Sequence, residues 1–222
     1  MVSTVWPTCD FLRAIVNLTK AGDEKIEPRR EMVRSSESAE LIVGFTNTVD
    51  LESGRDELAS PARLSCWLLD VGLVERRPDV TEADLRAFLD LRAGMREALS
   101  NDAPAASHRL ALADAVLARS PILVSLTARD AAPNGRAPVV LVPAPDLTTV
   151  PSIQARLAIA WAELVLTGQL RRLKRCADQR CGEVFWDTTR NHSRRWCSMQ
   201  VCGNRAKARR HTVRARQNRP DD

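Results

Sequence analysis

The sequence predicts a mainly α-helical protein, with an α-helical N-terminal domain that includes one small β-hairpin and a cysteine-rich module at the C-terminal end. Three observations predict this fold class. Apolar residues from position 39 onward recur with the 3.6-residue period of amphipathic helices. One pair of β-branched runs flanks a Pro-Asn-Gly turn, and four cysteines fall within the last fifty residues. A hydrophobic fraction of 44% supplies enough apolar side chains for a folded core.

The first two helices are recognised by their apolar spacing and by their ends. The segment AELIVGFTNTVD, residues 39–50, has the spacing of a short buried helix. In SPARLSCWLLDVGLV, Ser60 is expected to be the N-cap, Pro61 to occupy the first helical position and Gly72 to end the helix. Two short helices therefore begin the domain.

Three further helices and a hairpin complete the domain. Thr81 and Asp84 predict a capping box, and the helix behind it has an apolar stripe in which Arg92 is the one polar member. SHRLALADAVLAR predicts a fourth helix, and ILVSLTAR and APVVLVPA around DAAPNG predict a hairpin over residues 122–143. VPSIQARLAIAWAELVLTGQL predicts the longest core helix, with one stripe formed by Ile153, Leu157, Trp161 and Leu164.

We expect three regions along the chain: an extension over residues 1–35, the helical domain over 36–168 and the cysteine module over 169–222. The extension is a short apolar stretch followed by a charged run. It is expected to be disordered, or untranslated if the start codon is misassigned and translation begins at Met32. No secretory signal and no run of about 18 apolar residues is present, which predicts a cytoplasmic protein without membrane contact.

Positive charge is concentrated at the C-terminal end. Residues 170–219 contain fifteen Lys and Arg against three Asp and Glu, whereas residues 1–169 have a net charge of −5. Such asymmetry indicates a polyanionic partner, with an ordinary solvated charged end as the alternative. Arg outnumbers Lys throughout the chain, a bias that a GC-rich genome can produce, but this bias does not explain the clustering.

The cysteine spacing indicates a metal site. Four residues separate Cys176 from Cys181, fifteen residues follow, and four residues again separate Cys197 from Cys202. Two such pairs are typical of a tetrahedral zinc site, while disulfides, buried thiols and a redox dithiol are the alternatives. Four thiolates fill the coordination sphere and leave no place for an activated water. We therefore expect one structural Zn²⁺ per chain.

The segment after Cys197 predicts a basic helix capped by Ser198, with Met199, Cys202 and Ala206 on the face toward the metal. Its charged stripes suit contacts with phosphates on both sides of a groove. The predicted nucleic-acid contacts are Asn204, Arg205, Lys207, Arg209, Arg210, Arg214 and Arg216 on the helix, with Arg194 and Arg195 before it. Trp196 either stacks on a base or shields the metal.

The stretch CGNRAKARR after WCS resembles the CGNR zinc finger. The region before it, with FTNTVD, SPARLSCWL and LRAGMREAL, is similar to the ABATE domain that accompanies this finger in bacterial proteins. The resemblance spans roughly residues 39–216. It implies a transcription regulator induced by stress. It also implies that the four cysteines ligate zinc and that Gly203, Asn204 and Arg205 complete the signature.

Three functions agree with these features, and none of them is enzymatic, because no nucleophile elbow, phosphate loop, zincin helix or carboxylate pair occurs in the sequence. The first is a DNA-binding regulator whose helical domain senses an effector or binds a protein partner. The second is an RNA-binding module, and the third is an adaptor whose basic helix meets an acidic protein surface. Oligomeric state is left open by the sequence.

Overall fold

The structure, a computed structural model, describes residues 36–100, 107–125 and 140–217, with the side chains of residue 140 and residues 213–217 left out. The predicted extension over residues 1–35 and the Pro-Asn-Gly turn lie outside the described residues. The described part is mainly helical, as the sequence predicts. Its helices are α1 Glu37–Thr46, α2 Pro61–Asp70, α3 Glu82–Ala98, α4 Ser107–Leu117, α5 Thr149–Leu166 and α6 Asn204–Gln217.

Two small antiparallel sheets accompany the helices. Strands β1 (Ile122–Ser125) and β2 (Val140–Pro143) pair within the helical region, which confirms the predicted hairpin strands. Strands β3 (Leu173–Arg175) and β4 (Val184–Trp186) pair in the C-terminal module. The first cysteine pair lies in the connection between β3 and β4.

The predicted helix ends are confirmed. The Ser60 hydroxyl accepts the Arg63 N–H, and Pro61 opens α2. Thr81 and Asp84 form the reciprocal capping box at the start of α3. Gly72, with φ of +71°, follows the end of α2 in the left-handed conformation that glycine adopts without strain. These signals act over a few residues and are therefore readable in the sequence.

The core of the helical region is built around aromatic and aliphatic side chains of α1, α2, α3 and α5. Phe45 lies 5.6 Å from the ring of Trp67 and packs edge-on against Phe88 at 6.1 Å. Arg92, predicted on the core stripe, is buried and makes two hydrogen bonds to Asp56, at 2.6 and 2.8 Å. This pairing explains how a charged residue is accommodated in the apolar stripe.

The C-terminal module is packed directly against the helical region. Strand β4 alternates, so that Val184 and Trp186 face the helical core while Phe185 faces the cysteines. The Asn47 side-chain amide accepts the Val184 N–H at 2.8 Å and donates to the Val184 carbonyl at 2.7 Å. The hydrophobic core therefore crosses the predicted boundary at residue 168, and the division into two domains stays a prediction.

A buried arginine adds a second connection between the two regions. Arg96 of α3 donates to the Thr46 carbonyl at 2.6 Å and to the Gly182 carbonyl in the cysteine module at 2.8 Å. Burial, with nearby Arg175 and Arg92, lowers the pKa of Arg96 to about 10, so the guanidinium is still charged at neutral pH. Its charge strengthens both hydrogen bonds.

Candidate metal centre and basic helix

Four cysteine sulfurs converge at the C-terminal module. The Sγ atoms of Cys176, Cys181, Cys197 and Cys202 all lie within 4.8 Å of one another. Two separations between neighbouring sulfurs are 3.6 and 3.7 Å. A tetrahedron with metal–sulfur bonds of about 2.3 Å has edges of about 3.8 Å, whereas a disulfide has a sulfur separation of about 2.05 Å. The geometry thus fits one Zn²⁺ and excludes disulfides among these four residues.

The connection between β3 and β4 positions the first cysteine pair. The Cys176 N–H donates to the Glu183 carbonyl at 2.7 Å, which continues the strand pairing past Arg175. The N–H groups of Cys181 and Gly182 both donate to the Asp178 carbonyl at 2.9 Å, and Gly182 has a positive φ of 55°. The resulting tight turn brings Cys181 back toward Cys176.

The second pair is positioned by a π-helical turn. The Ser198 hydroxyl accepts the Val201 N–H, so the predicted cap is confirmed. The chain then forms a π turn over Met199–Gly203 before α6 begins, where the sequence predicted one continuous α-helix. Because a π turn closes between residues i and i+5, it rotates the preceding residues out of phase with α6. Met199 is 49% exposed, so it is not buried beside Cys202 as the predicted helical face implied, which corrects that expectation.

The signature residues after Cys202 have local structural contacts. A Cβ at Gly203 would lie 2.5 Å from the Met199 sulfur, so any other residue would displace Met199. The Asn204 side-chain amide donates to the Gln200 carbonyl at 2.9 Å and satisfies an acceptor of the π turn. The hydrogen bond gives Asn204 a local structural role, whereas the half-exposed Met199 side chain can move away from a larger residue at position 203.

Burial affects the protonation of the ligands. It raises the pKa of Cys202 to about 12, and it also raises the pKa values of Cys181 and Cys197 above the ordinary range. Thiols are therefore the stable form of these residues at neutral pH until a cation compensates the thiolate charge. A divalent metal supplies this compensation and releases protons as it binds.

A buried carboxylate ties the basic helix to the first cysteine pair. Asp178 has a side chain that is only 1% exposed, and it accepts Arg205 at 3.1 Å and Arg209 at 3.2 Å. Arg205 also reaches Glu52 of the helical region at 2.8 Å. The first turns of α6 are thereby linked both to the metal loop and to the helical region. We call the residues Asp178, Arg205, Arg209 and Glu52 the acidic clamp.

The two arginines before the second cysteine pair stack on aromatic rings. The Arg194 guanidinium lies 4.8 Å from the centre of the Phe185 ring, and the Arg195 guanidinium lies 5.3 Å from the Trp196 ring. Trp196 packs against the cysteine cluster, in agreement with the shielding interpretation. Each ring thus restrains the position of one guanidinium close to the metal centre.

Asp187 organises the loop that leads to Arg194. Burial alone would raise its pKa, but hydrogen bonds from Lys174, Thr189 and the Arg194 N–H together hold the pKa well below the ordinary range. Its carboxylate is fully buried and accepts Lys174 at 2.8 Å. Asp187 is therefore an ionised structural acceptor of this loop.

The basic helix α6 is exposed to solvent after its first turn, and among the described side chains Arg209 is the residue there that still reaches Asp178. All residues from 207 to 212 are exposed, although six consecutive residues cover every side of a helix. Within the described side chains, Lys207 and Arg210 form no ion pair, while Arg205 and Arg209 belong to the acidic clamp. The side chains of Arg214 and Arg216 are outside the described set. Nucleic-acid contact by these residues stays a prediction.

Sequence reasoning missed the residues that fix the module in place. Asp178 had one local signal, since it is one of only three acids among fifteen bases in residues 170–219. Asn47 and Arg96 had no such signal, because their partners lie 137 and 86 residues away in the chain.

No described helix is both long and apolar enough to cross a membrane.

Comparison with known families agrees with this architecture. Residues 172–217 match the family described as "CGNR zinc finger", and residues 39–168 match ABATE, described as "Putative stress-induced transcription regulator". A search of curated proteins returned no match. Neither matching family is an enzyme family. The second match covers more than half of the chain and the first contains all four clustered cysteines, so the chain belongs to the ABATE family and carries a C-terminal CGNR zinc finger.

Proposed function

We propose that the protein is a zinc-dependent transcription regulator that binds duplex DNA through helix α6. The observation that carries the proposal is the exposure of the helix on every side from residue 207 to residue 212, in the most basic part of the chain. A helix that is polar all round has no face to bury against its own protein. A polyanion would neutralise its charge and occupy its surface.

The start of the helix supports this role because it is held firmly. Zinc would fix Cys202 one turn before the exposed part, and the acidic clamp holds Arg205 and Arg209. A rigid start reduces the conformational entropy lost when the helix enters a groove. The major groove of B-DNA is wide enough for an α-helix.

The ion pairs divide the predicted contacts into two groups. Lys207 and Arg210 are exposed and without an ion pair among the described side chains, so they are the best candidates for phosphate contacts. Arg205 is already paired twice, and its proposed role is to orient the helix. Arg209 belongs to the acidic clamp, so with Arg214 and Arg216 included about four cations are available. The expected slope of log K against log salt concentration is then about −4.

The test is binding to a mixed-sequence duplex at several salt concentrations. Lys207→Gln with Arg210→Gln should make the salt slope less steep by about two and lower affinity at least tenfold. The matched control is Arg76→Gln with Arg86→Gln, which removes the same charge from exposed positions of the helical region. Equal losses in both double variants, or no duplex binding by the wild type, would refute the proposal.

RNA and an acidic protein surface are the alternative partners of the same helix. Each can be added to the duplex assay as a competitor. A structured RNA that displaces the duplex at equal phosphate concentration would favour the RNA function. In this proposal the helical region supplies the effector or protein-partner response, and the protein acts in the cytoplasm under stress.

A further inference from the structure

We propose that a cavity beside the metal centre is a binding site for a phosphate group. The cavity has a volume of about 440 Å³, which lies within the usual range for small-ligand sites. It is separate from the exposed part of α6, because none of its lining residues belongs to that helix. The proposal therefore does not depend on DNA binding by α6.

The walls of the cavity are basic and polar. Among the described residues that line it, four are Lys or Arg and none is Asp or Glu. Ser193 and Gln179 are exposed and add neutral hydrogen-bonding groups. Apolar ligands would gain little from such walls, whereas an anion would be attracted. The basic lining residues are Lys174, Arg175, Arg194 and Arg195.

Arg194 and Arg195 are the groups best placed to bind the anion. Each is stacked on an aromatic ring, Arg194 on Phe185 at 4.8 Å and Arg195 on Trp196 at 5.3 Å. A cation–π contact restrains a guanidinium, and the N–H groups that do not point at the ring remain for a ligand. Arg194 gives one of these donors to the Cys197 carbonyl at 2.5 Å. Among the described residues, neither arginine forms an ion pair with a carboxylate.

Lys174 and Arg175 have less to offer an anion, because both already pair with carboxylates. The Lys174 ammonium already donates to Asp187 and to the carbonyls of His192 and Arg194, which uses its three donors. Arg175 lies 3.9 Å from Glu97, so part of its charge is compensated. The direct contacts are therefore expected from the two stacked arginines, and a phosphate oxygen pair matches their fork geometry.

Isothermal titration of the zinc-loaded full chain with inorganic pyrophosphate tests the proposal. The zinc-loaded protein is required because a zinc tetrathiolate has a formal charge of roughly −2, which opposes an anion in the cavity through Cys176, so metal-free protein would overstate the affinity. Sodium sulfate at equal ionic strength is the anion control, and zinc content is measured after each titration. We expect saturable binding at micromolar to low millimolar pyrophosphate.

Three variants lower the charge of the module by the same amount. Arg195→Gln and Gln179→Glu change exposed residues of the cavity wall, whereas Arg180→Gln changes an exposed residue between the first two cysteines that does not line the cavity. The wall variants should weaken pyrophosphate binding about tenfold or more, and Arg180→Gln should weaken it less than about threefold. Absence of binding by the wild type, or equal losses in all three variants, would overturn the proposal.

The duplex assay then identifies the source of the phosphate. If Arg195→Gln weakens duplex and pyrophosphate binding alike, the cavity holds a nucleic-acid phosphate. If it weakens pyrophosphate binding alone, the ligand is a free phosphate-bearing molecule. Both results support the phosphate site. A wild type that binds pyrophosphate but no duplex would refute the function proposed for α6 and leave the cavity proposal intact.

Discussion

Asp178 places a buried carboxylate in the most basic segment of the chain. A lone buried carboxylate is unfavourable, but Asp178 is compensated by Arg205 and Arg209, which are one helical turn apart on α6. Arg205 is part of the CGNR signature, and its contacts give it a role in orienting the helix. A signature residue can thus be required for the position of the basic helix rather than for direct recognition.

Asp178→Asn should loosen the start of α6 without removing zinc. The substitution keeps the size of the side chain but removes the charge that pairs with two guanidinium groups. We expect the C-terminal module to lose about 2 kcal/mol of unfolding free energy, since Arg209 is half-exposed and its pair is partly screened. Hydrogen exchange of α6 amides should accelerate. Asp79→Asn, an exposed site, is the control, and unchanged exchange in Asp178→Asn would contradict the clamp.

At the scale of elements, close packing of α3 against α4 depends on a glycine. A Cβ at Gly94 would lie 2.2 Å from the Cβ of Ala113, far inside van der Waals contact. Gly44 in α1 is exposed, and a Cβ there would meet nothing within 4 Å. The two glycines share a helical setting but differ in the space around them.

The same substitution to alanine is therefore expected to stabilise the protein at Gly44 and to destabilise it at Gly94. Gly44→Ala should stabilise the protein by about 0.5–1 kcal/mol, because alanine has the higher helix propensity. Gly94→Ala gains the same propensity but must separate two helices, so it should destabilise by about 1–3 kcal/mol. Urea unfolding measures both. If Gly94→Ala is as stable as Gly44→Ala, the described approach of α3 and α4 is wrong.

At the scale of the whole molecule, the sequence predicts the features that are specified over short distances. Ser60, the Thr81 capping box and the two cysteine pairs each involve residues a few positions apart, and all of them agree with the structure. The connections between the two regions were not predictable, because Asn47 and Arg96 bind backbone groups of the cysteine module. The periodic spacing of apolar residues does not reveal partners that lie far apart in the chain. The π turn was also missed, since nothing in MQVCG distinguishes it from an α-helical turn.

In the proposed function, zinc holds the basic helix in the position from which it binds DNA. The most direct measurement compares duplex binding by zinc-loaded, zinc-stripped and zinc-restored protein at one fixed salt concentration. Without the metal, the cysteine pairs and the π turn lose their common anchor, so affinity should fall at least tenfold and recover when zinc is returned. Equal affinity in all three states would contradict the account.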